Sequence, residues 1–235
     1  MHFDQFISQI TILWHQTKVL SRFVLFLFLL ASSIACSQNE VPRIVDSLTQ
    51  SEHLDSLRTE FGFRKTVPAR YELAFLTALS YYPELDSSEI RFKEARIKTT
   101  LNARPTIGSL LFRKREKRKY IIRINSQKKD SLILLSDAPF NSQIGLFGHE
   151  LGHFADYHKR SFFGVLKRLI SYSTLKGKSK FEKEIDTITI ERGLGWQLYA
   201  WSYYVLFDSD GSKAYKEYKR SVYLTPKEIK QKIYE

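Results

Sequence analysis

The sequence has only one cysteine, one methionine and six prolines among its 235 residues. A single thiol excludes a disulfide within the chain, so the fold has to be stabilised by an apolar core. The longest apolar run, residues 23–35, is also shorter than the about 20 residues that a membrane-spanning helix needs. Acidic residues are few beside basic ones, 25 against 37, and the resulting net charge of +12 favours anionic partners.

The densest basic segment is residues 113–119, which read Arg-Lys-Arg-Glu-Lys-Arg-Lys. Taken alone, such a run is compatible with a nucleic-acid patch, a solvated loop, or contact with anionic lipids or acidic envelope polymers. An export signal at the amino terminus argues against nucleic acid. We therefore expect no nucleic-acid partner.

That signal is an apolar stretch, residues 23–31, preceded by Lys18 and Arg22 and followed by small residues up to Cys36. This layout is typical of a secretory signal peptide, so residues 1–35 are predicted to be one and residues 36–235 to form a single domain. The ending Ser-Ile-Ala-Cys is similar to the bacterial lipobox. The resemblance implies that Cys36 carries a lipid after cleavage and anchors the protein to a membrane of the bacterial cell envelope.

Residues 149–153 read His-Glu-Leu-Gly-His. On a helix, His149 and His153 stand one turn apart on one face, so their imidazoles can share a metal ion, and Glu150 lies beside them. Zinc with three protein ligands leaves a fourth position for water, and a neighbouring carboxylate can accept the proton when water attacks an amide. The pattern predicts Zn²⁺ held by the two histidines with Glu150 as general base; the alternative is a surface helix with two solvated histidines.

A helix over residues 142–158 would place these residues on a buried element. Its apolar positions recur at helical spacing, and Asn141 or Ser142 can cap its start. Gly145 and Gly152 would lie in the interior of this helix, where glycine is unfavourable. Glycine is tolerated there when another backbone or a substrate approaches closely.

A third ligand has to come from elsewhere. The metzincin pattern requires a glycine and a third histidine at positions that Asp156 and Lys159 occupy here, so that family is excluded. His158 is turned by about 140° from the face that carries His153, which makes it a residue of the helix end rather than a ligand.

A second amphipathic segment begins at Phe181, with Glu182 and Asp186 four residues apart on one face. An HExxH motif followed by a helix bearing Glu-x-x-x-Asp resembles the gluzincin metallopeptidases. The resemblance implies that Glu182 is the third zinc ligand, that Asp186 orients a ligand histidine, and that the reaction is peptide-bond hydrolysis. Glu184, about 200° around the helix from Glu182, is the competing ligand; the aspartate one turn after Glu182 favours Glu182.

The rest of the chain predicts an α+β, zincin-like fold: a small β-sheet packed on the HExxH helix, followed by a mostly helical C-terminal part. An edge of that sheet would run along the helix, where an extended peptide can pair with it. Helices are predicted over residues 44–61, 71–82 and 161–175, strands over 89–98, 120–124 and 132–135, a loop over 176–179, and a capping box at Thr225 and Glu228.

Two functions remain open. The first is a zinc metallopeptidase acting on proteins or peptides, which also needs a group to stabilise the oxyanion. The second is a non-catalytic envelope lipoprotein with a structural zinc site and a basic partner-binding surface. Glu150 favours the enzyme, because a structural site has no use for a carboxylate beside an open position. The candidate oxyanion donors are Tyr199, Tyr203, Tyr204 and Arg192.

Overall fold

The computed structural model describes residues 43–127 and 133–235, which form an α+β unit of ten α-helices and a four-stranded mixed sheet. The predicted signal peptide, residues 1–35, and Cys36 lie outside the described residues. Within the described ranges, no helix is both long enough and apolar enough to cross a membrane.

The first part of the unit consists of short helices. The predicted helix over 44–61 is divided at His53 into α1 (Ser47–Glu52) and α2 (Leu54–Phe61). Asp46 is the N-cap residue of the first helix and His53 that of the second. After the two-residue strand β1 (Lys65–Thr66), α3 (Ala69–Leu79) replaces the helix predicted over 71–82. Pro83 begins a separate 3-10 turn, because proline has no N–H with which to continue the hydrogen bonds of α3.

The sheet has the order β1-β2-β4-β3, with β2 (Glu89–Ala95), β3 (Leu101–Pro105) and β4 (Lys119–Asn125). β1 and β4 are parallel to β2, whereas β3 runs antiparallel to β4. Two of these strands, β2 and β4, were predicted from their apolar residues. β3 was not, because Leu-Asn-Ala-Arg-Pro has no β-branched or aromatic residue.

The prediction of a strand over residues 132–135 is wrong for residues 133–135, which the structure describes. Residues 133 and 134 are extended, and Leu135–Asp137 is a 3-10 turn that leads into the next helix. Ile133 and Leu135 are buried, so their apolar character reflects burial under a loop rather than strand pairing. Between β3 and β4, the helix α4 (Ile107–Phe112) and a 3-10 turn (Arg115–Lys117) occupy a stretch for which no helix was predicted.

The HExxH motif lies on α5 (Phe140–Lys159), which confirms the predicted helix. The predicted cap is wrong: Pro139 is the cap residue, and the Asn141 amide instead exchanges two hydrogen bonds with the backbone of Val45. α6 (Phe162–Ser171) follows, and then α7 (Leu175–Thr189). Residues 176–179 are therefore helical rather than a loop, because Thr174 caps α7 through the N–H of Gly177.

The C-terminal part is helical, as predicted. After a π-helical turn (Ile190–Leu194), which is kinked at Gly193 (φ 91°), come α8 (Gly195–Tyr203), a second π-helical turn (Tyr204–Asp208), α9 (Lys213–Val222) and α10 (Pro226–Ile233). The capping box is present at the start of α10, where Thr225 and Glu228 bond to each other's backbone.

Aromatic side chains pack α5 against both the sheet and α3. The ring of Phe147 lies 5.6 Å from that of Phe75 on α3 and 6.0 Å from that of Phe92 on β2, both in edge-to-face geometry. Two turns further on, Phe154 stacks on Tyr120 of β4 with centroids 4.3 Å apart. Since most of these rings are fully buried, α5 is the central element of the core and its motif is held in a rigid setting.

Two glycines allow other helices to approach α5 closely. A Cβ atom on Gly145 would lie 2.0 Å from the carbonyl oxygen of Gln197 on α8. A Cβ atom on Gly152 would lie 3.0 Å from Cγ2 of Ile185 on α7. The expectation that these glycines mark close approaches is confirmed.

Gly145→Ala is expected to lower the free energy of unfolding by about 1–3 kcal/mol, because α8 or α5 has to shift to admit the methyl group. Gly108→Ala on α4 is the control. Apart from its chain neighbours and its own helix backbone, no atom of the described residues lies within 4 Å of its added Cβ. The change should raise the free energy of unfolding by about 0.5–1 kcal/mol. Urea unfolding of both variants measures these effects; a neutral Gly145→Ala would contradict the close packing.

Candidate metal centre

Two helices bring four functional side chains together. His149 and His153 lie one turn apart on α5, with ring centroids 4.9 Å apart and ring planes nearly perpendicular. Glu182 and Asp186 lie one turn apart on α7, which packs against α5. All four residues are buried. His149, His153 and Glu182 therefore form a buried group that could hold a metal ion.

The two imidazoles converge on one carboxylate oxygen. Oε2 of Glu182 lies 3.1 Å from Nε2 of His149 and 3.3 Å from Nε2 of His153. In a tetrahedral zinc site with bonds of about 2.0–2.1 Å, neighbouring ligand atoms are ~3.3 Å apart. The separations fit such a site, and two nitrogens with one oxygen are a donor set that zinc accepts.

Asp186 fixes the orientation of His149. Its Oδ1 atom lies 2.8 Å from Nδ1 of His149, the ring nitrogen that does not face Glu182. Its Oδ2 atom accepts a hydrogen bond of 2.8 Å from the backbone N–H of Leu224, just after α9. The segment after α9 thus fixes Asp186, and Asp186 fixes His149. Histidines that bind metals commonly have a carboxylate partner of this kind.

The second oxygen of Glu182 has its own partner. Tyr172, just beyond the end of α6, donates its hydroxyl hydrogen bond to Oε1 at 2.6 Å, which leaves Oε2 facing the histidines. Burial raises the pKa of Glu182, but His153 and His149 outweigh it and hold the pKa well below its usual range. The carboxylate is therefore ionised, as a metal ligand must be.

The charges around His149 favour a cation. Burial lowers the pKa of His149, but Asp186 and Glu182 outweigh it and raise the pKa to about 10. The two carboxylates stabilise a proton on the ring, and a metal ion would replace that proton, because imidazole has to be deprotonated to act as a ligand.

The competing carboxylate, Glu184, points to a different partner. Its Oε2 atom lies 2.5 Å from Nη1 of Arg168 on α6. Arg168 also donates two hydrogen bonds to Asp156 on α5, which in addition accepts two from Arg160. Glu184 therefore belongs to an ion-pair network outside the cluster. His158 is also outside it, half-buried at the end of α5, as predicted.

Glu150 is buried beside His149 and lines a cavity together with it. The empty space between the cavity walls, including the part that is open to solvent, is about 620 Å³. Burial raises the pKa of Glu150, while His153 and His149 act in the opposite direction. Most of the wall is apolar and comes from β3, α5, α8, the second π-helical turn and the segment after α9, as in Leu101, Leu146, Trp201, Leu206 and Leu224.

Two residues of this cavity, Lys219 and Tyr223, were not predicted as site residues. The Tyr223 ring lies 5.5 Å from that of His149, and the Lys219 ammonium lies 4.1 Å from the centroid of the Tyr223 ring. Burial raises the pKa of Tyr223 well above its ordinary value, and the carboxylates of Glu182 and Glu150 add to the effect. The phenol therefore keeps its proton and can donate a hydrogen bond.

The residues predicted as oxyanion donors do not line this cavity. Arg192 pairs with Glu84, and the Tyr204 hydroxyl donates to the carbonyl oxygen of Asp137. Tyr199 and Tyr203 stack on each other with centroids 6.0 Å apart. All four residues lie on or next to α8, whose side chains near the cavity are Leu198, Trp201 and Ser202 instead.

Comparison with known proteins gives no match: no family model, no curated protein and no solved structure is similar to the chain. The geometry of the cluster and its cavity is therefore the basis on which a function can be assigned.

Glu182→Ala is expected to weaken zinc binding at least about 100-fold, because loss of a ligand should cost no less than loss of a residue that supports one. Glu184→Ala is the matched control on the same helix and should bind zinc like the wild type, since Glu184 pairs with Arg168. Zinc titration with a competing chelator, with both variants checked for folding, measures the two affinities. Weaker binding in the Glu184 variant alone would mean that the third ligand has been wrongly assigned.

Proposed function

We propose that this protein is a zinc-dependent peptidase of the gluzincin type, with His149, His153 and Glu182 as ligands and Glu150 as general base. The observation that carries the proposal is the convergence of both imidazoles on Oε2 of Glu182, beside a cavity that Glu150 lines. A bound zinc ion would polarise a water molecule and a substrate carbonyl.

Glu150 has the position that a general base requires. It follows His149 directly in the chain, is buried, and faces the same cavity as that histidine. A carboxylate there can take a proton from the attacking water and pass it to the leaving amine. A purely structural site needs neither a cavity nor a base beside it, and this supports the peptidase over the structural lipoprotein.

Tyr223 is the proposed donor to the oxyanion, in place of the four residues expected from the sequence. Its phenol remains protonated and lies in the cavity with Glu150 and His149. A donor of this kind stabilises the negative charge that develops on the substrate oxygen. Lys219, next to the ring, adds a positive charge on the same side.

The edge strand β3 is the proposed binding site for an extended peptide. It is the last strand of the sheet, and among the described strands only β4 pairs with it. Thr99 and Thr100, which lead into the strand, and Leu101, its first residue, line the cavity that contains Glu150. A peptide added to this edge would run past the base, with its side chains directed alternately toward the apolar wall and away from it. This arrangement supports a zincin-like fold and a protein or peptide substrate.

The cellular location is proposed from the sequence. A signal peptide over residues 1–35 and a lipid on Cys36 would place the domain on a membrane of the bacterial cell envelope. Its substrates would then be envelope proteins or peptides.

Glu150→Gln is expected to reduce turnover of an unstructured protein substrate by about 10²-fold or more, because the amide cannot accept the proton. Zinc content should be unchanged, since Glu150 is not a ligand. Glu191→Gln, an exposed glutamate on the first π-helical turn, is the control and should keep full turnover. Equal turnover of wild type and Glu150→Gln, with zinc bound in both, would favour the structural lipoprotein.

Tyr223→Phe is expected to lower kcat by about 10²–10³-fold while KM and zinc affinity change little, since only the hydroxyl donor is lost. Tyr203→Phe, at a residue expected from the sequence but outside the cavity, should leave kcat unchanged. Steady-state kinetics on one peptide substrate compares the two. A loss in the Tyr203 variant with none in the Tyr223 variant would contradict the assignment.

A further inference from the structure

An exposed apolar surface lies on α4 and α6, neither of which carries a ligand of the candidate metal centre. Half of the large apolar side chains that are exposed in the described part of the chain, seven of fourteen, are on these two short helices. Phe112 on α4 is 86% exposed and Phe163 on α6 is 76% exposed. Clustered side chains of this size on a surface mark an interaction site. We call this surface the α4–α6 patch; its apolar members are Ile107, Leu111, Phe112, Phe163, Leu166, Leu169 and Ile170.

α6 is apolar on two opposite faces. Its inner face carries Val165, which is fully buried. Its outer face carries Phe163, Leu166 and Ile170, spaced three and four residues apart as on one face of a helix, and all three are exposed. An outward stripe of this kind is not needed for packing within the domain, so it requires another partner.

A buried arginine joins the segment after α4 to the end of α5, just before α6 begins. Arg118, in the basic segment after α4, is 3% exposed. Its Nη1 atom donates to the carbonyl oxygens of Tyr157, at 2.6 Å, and Arg160, at 2.9 Å, at the end of α5 where α6 begins. A cation is favoured at this end of a helix. The segment that follows α4 is thereby fixed against the start of α6, and both border one groove.

The patch is surrounded by positive charge. Residues 157–181, which include α6, contain seven basic residues and no acidic residue. Arg160 and Arg168 pair with Asp156 and Glu184 from outside this range, and the other five basic residues are lysines. Residues 106–119, which include α4, contain six basic residues and one acidic residue, Glu116, which is paired with Arg115 at 2.7 Å. Among these residues, Lys114 and Lys117 are exposed and have no acidic partner within ion-pair distance in the described ranges.

We propose that the α4–α6 patch docks the folded domain onto an anionic lipid bilayer, with the phenylalanine side chains in the interface and the lysines at the headgroups. Apolar tips bordered by lysine and arginine are the pattern of proteins that lie on membranes. Each basic residue near an anionic surface strengthens the attraction to it. A second copy of the chain fits less well, because it would bring two positively charged borders together. This inference does not depend on the proposed peptidase chemistry.

A label that reports local polarity tests the proposal at single positions in the full chain. Cys36→Ser removes the only thiol, and Phe163→Cys or, as control, Gln231→Cys on α10 then places one label. With phosphatidylcholine vesicles that contain phosphatidylglycerol, the emission of the label at 163 should rise several-fold, and the label at 231 should not respond. Because the readout is local, membrane attachment through the amino-terminal segment alone would leave both labels unchanged and would overturn the proposal.

Charge reversal tests the role of the basic border. Lys114→Glu with Lys117→Glu should raise the vesicle concentration needed for the response at 163 by about tenfold or more. Lys227→Glu with Lys230→Glu on α10 changes the net charge by the same amount and should have a much smaller effect.

Three results would overturn the proposal. The first is an equal response on vesicles of phosphatidylcholine alone, and the second is an equal loss in both charge-reversal pairs. The third is a response that depends on protein concentration without vesicles, which would show that a second copy covers the patch.

Discussion

The burial of two carboxylates against two histidines, between α5 and α7, is the constraint on which the rest of the structure depends. A buried charge is strongly destabilising unless it is paired and hydrogen-bonded. Glu182 and Asp186 meet this condition only while α5 and α7 stay in contact along the turn that carries His149 and His153. A cation shared by Glu182 and the two imidazoles would offset the cost more completely than hydrogen bonds alone.

Distant segments have to close around this group. Tyr172, which follows α6, holds one oxygen of Glu182, and the backbone of Leu224 holds one oxygen of Asp186. Gly152 lets α7, which carries both carboxylates, approach α5 closely, and Gly145 does the same for α8. The site is thus assembled from segments that are far apart along the chain, and the apolar core around α5 keeps them in place.

The local part of the site could be predicted from the sequence, and the long-range part could not. The spacing of His149, Glu150 and His153 follows from the period of one helix. The pairing of Glu182 with Asp186 also follows from a period, once α7 is recognised. Tyr223 joins the cavity only through the packing of α9 and its following segment, which no local pattern encodes. Asn141 was misassigned as a cap for the same reason: its partner, the backbone of Val45, lies 96 residues away in the chain.

α6 connects the two surfaces on which the proposals rest. On its inner side, Arg168 is held by Asp156 and Glu184, and Tyr172 just beyond the helix holds Glu182. Its outer side carries the exposed stripe that begins at Phe163. Because these inner contacts tie α6 to α5 and α7, a bilayer that binds the outer side would hold the candidate metal centre at a constant height and orientation. A peptidase arranged in this way would act on chain segments close to the membrane surface, so its selectivity would come from where the substrate lies as well as from the side chains that the cavity admits.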